Sequence, residues 1–249
     1  MQLEAWSLTD VGLKREINQD AVLVDHELGL YVVADGMGGH KGGEVASALA
    51  IETIKETIKA GRGRKPFSPA EQLTTAYSEA SRRIHTKSTK ENPELMGMGT
   101  TMVGALFDKG HLFIANVGDS RAYLLRGSRL WQLTEDHSLI NEQLRAGVIT
   151  DAEAPNTVGK NVITRSVGFE EKVNVDIVQR QVQKKDMFLL CSDGLSGMIS
   201  DKTIAQICAQ LPAHKVVSRC ILEAKKAGGD DNISVILLRP KEPKGKSSG

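Results

Sequence analysis

The sequence is short of aromatic residues, cysteines and long hydrophobic runs. Aromatic residues make up 4% of the 249 positions, so aliphatic side chains and alanine have to fill the core. The longest apolar run, at residues 28–34, is far too short to span a bilayer. An odd number of widely spaced cysteines argues against a disulfide framework and a zinc site, and favours buried thiols in a reducing compartment. These cysteines are Cys191, Cys208 and Cys220.

No charge of either sign dominates. The chain has 32 basic and 31 acidic residues, a formal net charge of +1, which argues against nucleic acid or an anionic membrane as a partner. The one basic cluster, at residues 61–65, has no interleaved aromatic residues and is interpreted as a solvated loop. The N-terminus lacks the basic and apolar regions of a signal peptide. We therefore expect a cytoplasmic protein.

Hydrophobic periodicity predicts blocks of strands and pairs of helices. The predicted helices are residues 43–59, 69–89, 201–210 and 214–227. The predicted strands are residues 5–9, 21–24, 29–34, 100–107, 111–116, 121–125, 129–133, 173–181, 187–191 and 233–238. Because strands come in runs rather than in strict alternation with helices, the order predicts an α+β fold. We expect a four-layer α-β-β-α sandwich, with two mainly antiparallel sheets flanked by helices.

The chain contains no internal repeat and no long linker. We therefore expect a single domain over residues 1–240. Within it, residues 139–168 are a polar region with short helical pieces. The last residues, 241–249, are rich in lysine, glycine and serine, and are predicted to be a disordered tail.

Five aspartates lie at the ends of predicted strands. Asp35, Asp119 and Asp193 each follow an apolar strand, whereas Asp20 and Asp231 each precede one. Any one of them is an ordinary turn signal. In a sheet packed on both faces, however, such strand ends can converge at one edge, where ionised carboxylates would repel one another and lose hydration. Divalent cations reverse that penalty, and oxygen ligands without His or Cys favour magnesium or manganese.

Other phosphate-binding and hydrolytic motifs are absent. A dinucleotide fingerprint beginning at Gly36 requires glycine where Lys41 stands, and a P-loop beginning at Gly38 requires lysine where Glu44 stands. The sequence has no G-x-S-x-G, C-x-x-C or H-E-x-x-H. The D-x-D of an aspartyl-nucleophile phosphatase does not follow the predicted strands. A water activated by two metal ions, about 3.5–4 Å apart, is the mechanism that remains.

Six motifs, taken in order, carry a family resemblance. They are R-x-x-N-Q-D, V-A-D-G-M-G-G-H, V-G-D-S-R, L-T-E-D-H-S, S-D-G-L and G-G-x-D-N-I. This set resembles the PPM, or type 2C, family of metal-dependent protein serine/threonine phosphatases in its compact bacterial form. The likeness covers residues 3–239. It implies hydrolysis of phosphoserine and phosphothreonine by a metal-bridging water without a phosphoenzyme, at one end of a β-sandwich.

The resemblance also implies roles for individual residues in binding two core ions, Mn²⁺ or Mg²⁺. Asp35 would bridge these ions and the carbonyl of Gly36 would ligate one of them. Asp193 and Asp231 would complete the other. Asp20 would act through a metal-bound water.

Two further residues match the family's motifs outside the core ions. Asp119 would hold a third, weaker metal ion. Arg15 would grip the substrate phosphate through its planar guanidinium.

The proton donor to the leaving oxygen is a separate question. Family members with D-G-H place histidine directly after the glycine, but Met37 stands there in this chain. His40 is the candidate for the acid, and the alternative is a loop histidine that only orders the ligands or water. His137 is assigned a structural role.

Two departures from the family's patterns concern the surroundings of the site. Residues 139–168 match the family's flap segment, but Thr157 and Val158 stand where many bacterial members have His-Pro. Gln19 occupies a position that is often Glu in eukaryotic members. These departures bear on flap geometry and metal affinity.

Two functions are alternatives to the predicted phosphoprotein phosphatase. One is a catalytically inactive metal-binding regulator, although degenerate members usually lose metal-binding aspartates. The other is a phosphatase specific for an anti-sigma-factor antagonist, although such enzymes usually carry a further domain. The expected partners are phosphoprotein substrates that include a serine/threonine protein kinase, with neither nucleic acid nor membrane. We expect a monomer.

Overall fold

The computed structural model describes residues 1–62, 67–150, 152–154, 157, 159 and 162–241, apart from the side chains of residues 40 and 41. The predicted tail therefore lies outside the described residues, except for Lys241. The strands are β1 Leu3–Asp10, β2 Asp20–Asp25, β3 Leu30–Met37, β4 Gly99–Thr100, β5 Met102–Asp108, β6 His111–Val117, β7 Arg121–Arg126, β8 Arg129–Gln132, β9 Asp176–Gln181, β10 Met187–Cys191 and β11 Ile233–Pro240.

The strands form two antiparallel sheets. The first has the order β1-β11-β10-β7-β8, and the second has the order β2-β3-β5-β6-β9, with β4 paired to β3. The helices are α1 Gly39–Gly61, α2 Pro69–Thr86, α3 Leu139–Arg145, α4 Asp193–Ser196, α5 Asp201–Gln210 and α6 Ala213–Lys226. A π-helical turn, Lys87–Glu91, and a 3₁₀ turn, Pro93–Leu95, follow α2.

Side-chain alternation along the strands divides the core into three layers of packing. Tyr31 and Val33 of β3 pack between the sheets, against Phe188 and Ile236 of the first sheet. Leu30, Val32 and Ala34 point to the opposite face and pack under α1 and α2. The outer face of the first sheet packs in the same way under α5 and α6. Because successive residues of a strand face opposite sides, each sheet packs against the other sheet on one face and against helices on the other. The predicted four-layer α-β-β-α sandwich is therefore confirmed.

Helix α1 begins four residues before the predicted position at 43. Gly38 and Gly39 have φ values of +128° and +66°, so the chain can turn sharply into the helix directly after β3. The first turn then packs against the strand it leaves, since a Cβ on Gly36 would lie 2.0 Å from the Gly43 carbonyl oxygen. Among the described residues, no helix is long and apolar enough to cross a membrane.

Most other boundaries also differ from the predictions by one to three residues, and α2 ends at Thr86 rather than at 89. The segment predicted at 100–107 is divided, because Thr100 ends β4 and Thr101 bonds to Asp35 before β5 begins at Met102. Strand β9 begins at Asp176 rather than at 173, and Asp176 pairs with Asn116 of β6.

Helix α2 offers a direct test of local stability. Ser68 accepts a hydrogen bond from Glu71 N–H (3.2 Å), and the Glu71 carboxylate accepts one from Ser68 N–H (2.7 Å). We expect Ser68→Ala to lower the free energy of unfolding by about 1 kcal/mol in chemical denaturation. Ser218→Ala, at an exposed position within α6, should leave it nearly unchanged. Equal losses in the two variants would contradict the capping role.

Candidate metal centre

Asp20 and Asp35 lie on neighbouring strands at one end of the second sheet. The first residue of β2, Asp20, is paired with Asp35 of β3, so both side chains point to the same face. Thr101 holds the Asp35 main chain: its N–H donates to the Asp35 carbonyl (2.8 Å), and its hydroxyl accepts from the Asp35 N–H (3.2 Å). The Gly36 N–H donates to the Gln19 carbonyl (3.1 Å). The backbone is thereby fixed on both sides of the two carboxylates.

Asp193 and Asp231 come from neighbouring strands of the first sheet. Asp193 begins α4 directly after β10, and Asp231 lies two residues before β11. Ser192 joins the two sheets at this end: its N–H donates to the Ser234 carbonyl (3.1 Å), and its hydroxyl donates to Asp20 Oδ2 (2.8 Å). The strand ends of the two sheets therefore meet, as the sequence predicted.

Asp119 lies in the turn between β6 and β7. Gly118 has a φ of +103°, and a Cβ at that position would lie 2.6 Å from the Thr101 side chain, so this turn requires glycine. The hydroxyl oxygens of Ser120 and Thr101 are 2.7 Å apart. This contact connects the Asp119 turn to the residue that holds Asp35.

The carboxylates affect one another electrostatically. Burial, and next the charges of Asp20, Asp193 and Asp119, hold the pKa of Asp35 well above its usual range. Burial also raises the pKa of Asp20 to about 7 and that of Asp119 to about 7, and nearby carboxylates add to both shifts. The pKa of Asp193 is raised by burial and then by Asp231. All five predicted aspartates thus belong to one cluster.

The cluster has the donors that a divalent cation needs. Asp20 Oδ1, Asp119 Oδ1 and Asp193 Oδ1 are buried without a hydrogen-bond partner. Buried polar atoms usually have partners, and carboxylate oxygens are the donors that magnesium and manganese prefer. These residues therefore fit such ions. In the described part of the chain, no three His, Cys, Asp or Glu side chains are arranged to hold an ion as they stand. The carboxylates would have to reorient on binding.

Arg15 supplies a positive charge at the edge of the cluster. Its Nη2 donates to Asp231 Oδ2 at 2.7 Å, and its side chain is 52% exposed. An ion pair this exposed contributes little stability and exchanges readily with solvent. The guanidinium is therefore accessible to an anion that approaches the carboxylates.

Sequence reasoning did not assign a role to Asn232. Its Nδ2 donates to the carbonyls of Val11 (2.9 Å) and Ile17 (3.0 Å), and its Oδ1 accepts from Gln19 N–H (2.8 Å). One buried amide thus fixes the loop that leads into Asp20. The only sequence signal was its place beside Asp231 in the G-G-x-D-N-I motif.

Thr100 connects the predicted flap segment, residues 139–168, to the cluster. Thr100 and Val167 exchange two backbone hydrogen bonds (2.9 and 2.8 Å), and the Thr100 hydroxyl donates to the Asp35 carbonyl (2.8 Å). Thr157 donates from its N–H to the Ala154 carbonyl (3.2 Å).

Two predictions about the site fall outside the described residues. One is the role of His40, whose side chain the structure does not describe, although its backbone lies in the first turn of α1. The other concerns Val158 of the flap.

Comparison with known proteins agrees with this geometry. The sequence pattern of the family "Protein phosphatase 2C" matches residues 14–227. The serine/threonine phosphatase stp of Listeria welshimeri is 40% identical over 84% of this chain and 83% of its own. Stp1 from Staphylococcus aureus has a structure with a TM-score of 0.90 at 32% identity, covering 97% of this chain and 96% of that one.

A second similar structure contains metal. The catalytic domain of the phosphatase PstP, in complex with two manganese ions, has a TM-score of 0.85 at 34% identity, covering 96% of this chain and 98% of that one. The fold and carboxylate cluster define a protein of the metal-dependent phosphatase class. This chain belongs to the protein phosphatase 2C family.

The raised carboxylate pKa values predict how stability depends on pH. Without metal, Asp20 and Asp119 contribute stability that is fully present below their ordinary pKa of 3.8 and is lost as pH rises through about 7. Manganese needs the deprotonated carboxylates. We expect thermal unfolding to show a larger manganese-induced stabilisation at neutral than at mildly acidic pH.

Two variants control this measurement. Asp119→Asn should reduce the dependence on pH, because it removes one of the carboxylates with a raised pKa. Asp108→Asn, at the far end of β5, should follow the unmodified protein. A manganese effect of equal size at all pH values would contradict the account.

Proposed function

We propose that this protein is a metal-dependent protein serine/threonine phosphatase. The observation that carries the proposal is a cluster of buried carboxylates with unpartnered oxygens, beside an exposed guanidinium. Membership of the protein phosphatase 2C family supports it. Retention of all five aspartates argues against a catalytically inactive regulator.

The carboxylate cluster would hold two core ions, manganese or magnesium. Their donors share one end of the sandwich: Asp35, the carbonyl of Gly36, Asp193 and Asp231. We assign Asp20 to contact through an intervening water and Asp119 to a third, weaker ion. Bound divalent cations supply a water of lowered pKa and stabilise negative charge on phosphoryl oxygens.

The chain's own groups would bind and orient the phosphoester. Arg15 can exchange its exposed contact with Asp231 for the phosphate oxygens, which its planar guanidinium can bind in a bidentate manner. A water oxygen forms the new bond to phosphorus while the bond to the seryl or threonyl oxygen breaks. That leaving oxygen takes up a proton. No phosphoenzyme forms, and His40 is the proposed donor of the proton.

We also propose phosphoproteins of the cytoplasm as the substrates, among them a serine/threonine protein kinase. The kinase is proposed by analogy with bacterial signalling. Buried, free Cys191, Cys208 and Cys220 are consistent with a reducing compartment.

A metal-dependence assay tests the proposed activity. We expect hydrolysis of an aryl phosphate and of phosphothreonine peptides with manganese or magnesium, and none after exhaustive chelation. Asp193→Asn should lower kcat/KM by about a hundredfold or more, because it removes a charged donor to the ions. Asp108→Asn is the matched control. Activity that survives chelation, or survives Asp193→Asn in a folded protein, would contradict the mechanism.

The leaving group tests the role of His40. An aryl oxygen leaves without proton transfer, whereas a seryl or threonyl oxygen needs the proton. His40→Ala should therefore reduce hydrolysis of a phosphothreonine peptide by about a hundredfold or more, with a much smaller effect on the aryl phosphate. His214→Ala, at an exposed position on α6, should change neither rate. Equal losses on both substrates would remove His40 from the acid role.

A further inference from the structure

His137 binds the main chain beside Asp119. It is 6% exposed, and it lies between the Gly118–Asp119 turn and the start of α3. We propose that His137 is a positioning residue that fixes the Asp119 carboxylate for its metal ion. The inference rests on the proposed function, because it takes Asp119 as a ligand.

Both polar groups of the Gly118 main chain are bound by this one histidine. The Gly118 N–H donates to His137 Nδ1 at 2.9 Å, and the His137 N–H donates to the Gly118 carbonyl at 3.0 Å. Asn116 Nδ2 donates to the same carbonyl at 3.2 Å. Glycine at this position has many accessible conformations, so these hydrogen bonds are what select the positive φ of the turn.

The hydrogen bonds also fix the tautomer of the ring. Because Nδ1 accepts from the Gly118 N–H, it carries a lone pair, and the ring proton is on Nε2. Nε2 then donates to Asp176 Oδ2 at 3.0 Å; Arg165 Nη1 also lies 3.0 Å from Nε2, and it donates to Asp176 Oδ1 at 2.9 Å. Asp176 orients the imidazole from one side so that the other side faces Gly118. A carboxylate that accepts from one imidazole nitrogen fixes the tautomer and the orientation of the ring, as it also does for histidines that bind metals.

Asp119 depends on the hydrogen bonds of His137 because a carboxylate oxygen of its own side chain has no hydrogen-bond partner. Asp119 Oδ1 is buried and has no hydrogen-bond partner. Its position therefore follows from the backbone of the turn, which His137 binds at the preceding residue. We expect loss of the Nδ1 contact to affect Asp119 far more than Asp35, Asp193 or Asp231, to which the imidazole makes no hydrogen bond.

Two substitutions distinguish the contribution of His137 Nδ1 from that of Nε2. His137→Asn can place an amide oxygen near the Nδ1 position and keep the Gly118 contact. In His137→Gln the longer side chain places its amide near the Nε2 position, so the hydrogen bond from the Gly118 N–H is lost. Manganese alone is titrated into each folded variant and followed by calorimetry, which resolves tight and weak sites without substrate. We expect His137→Gln to raise the weak-site Kd about tenfold or more, with the tight sites unchanged. His137→Asn should stay close to the unmodified protein.

A second pair of variants covers the case in which the buried position does not tolerate substitution. Asp176 is 49% exposed, so its replacement carries little risk for folding. Asp176→Leu removes the acceptor for Nε2 and should weaken the weak site, whereas Asp176→Asn keeps an acceptor and should not.

The proposal is overturned by any of three results. His137→Gln could leave the weak site intact, all variants could weaken the tight and weak sites in parallel, or Asp119→Asn could remove no manganese. Lack of turnover by the unmodified protein would instead contradict the proposed function, because the titration contains no substrate.

Discussion

The mutual repulsion of five carboxylates, gathered where two sheets end, is the constraint on which the site depends. Burial and neighbouring charges both raise the pKa values of four of them, Asp20, Asp35, Asp119 and Asp193. The fold tolerates this arrangement because the sandwich fixes the strand ends from outside. Three apolar layers hold the sheets and helices together, so the cluster has no need to contribute stability of its own.

The surrounding hydrogen bonds hold the main chain beside the carboxylates and leave several of the carboxylate oxygens without partners. Uncharged groups bind the backbone beside the acids: Thr101 holds Asp35, Asn232 holds the loop before Asp20, and His137 binds the main chain next to Asp119. Several carboxylate oxygens meanwhile have no partner. The backbone of such a site is held in place, whereas the carboxylate oxygens have no competing partners and can turn towards an arriving ion.

Sequence patterns were sufficient for the elements whose cause is local. Helix α5 and strand β10 have the predicted bounds, because caps and apolar periodicity determine them. The convergence of the aspartates was also predictable, since each lies at a strand end. The supporting residues were not. Asn232 and Thr101 act across long sequence separations, through a register that only the folded sheets define. Helix α1 began early because paired glycines permitted a turn that a propensity rule would place later.

Anomalous diffraction at the manganese edge, from crystals of this protein grown with manganese, tests the central claim most directly. The account predicts two strong peaks between the carboxylates of Asp35, Asp193 and Asp231, with Arg15 at their edge. A weaker peak is expected at Asp119. Strong manganese peaks elsewhere, with this cluster empty in a protein that hydrolyses phosphothreonine, would contradict it.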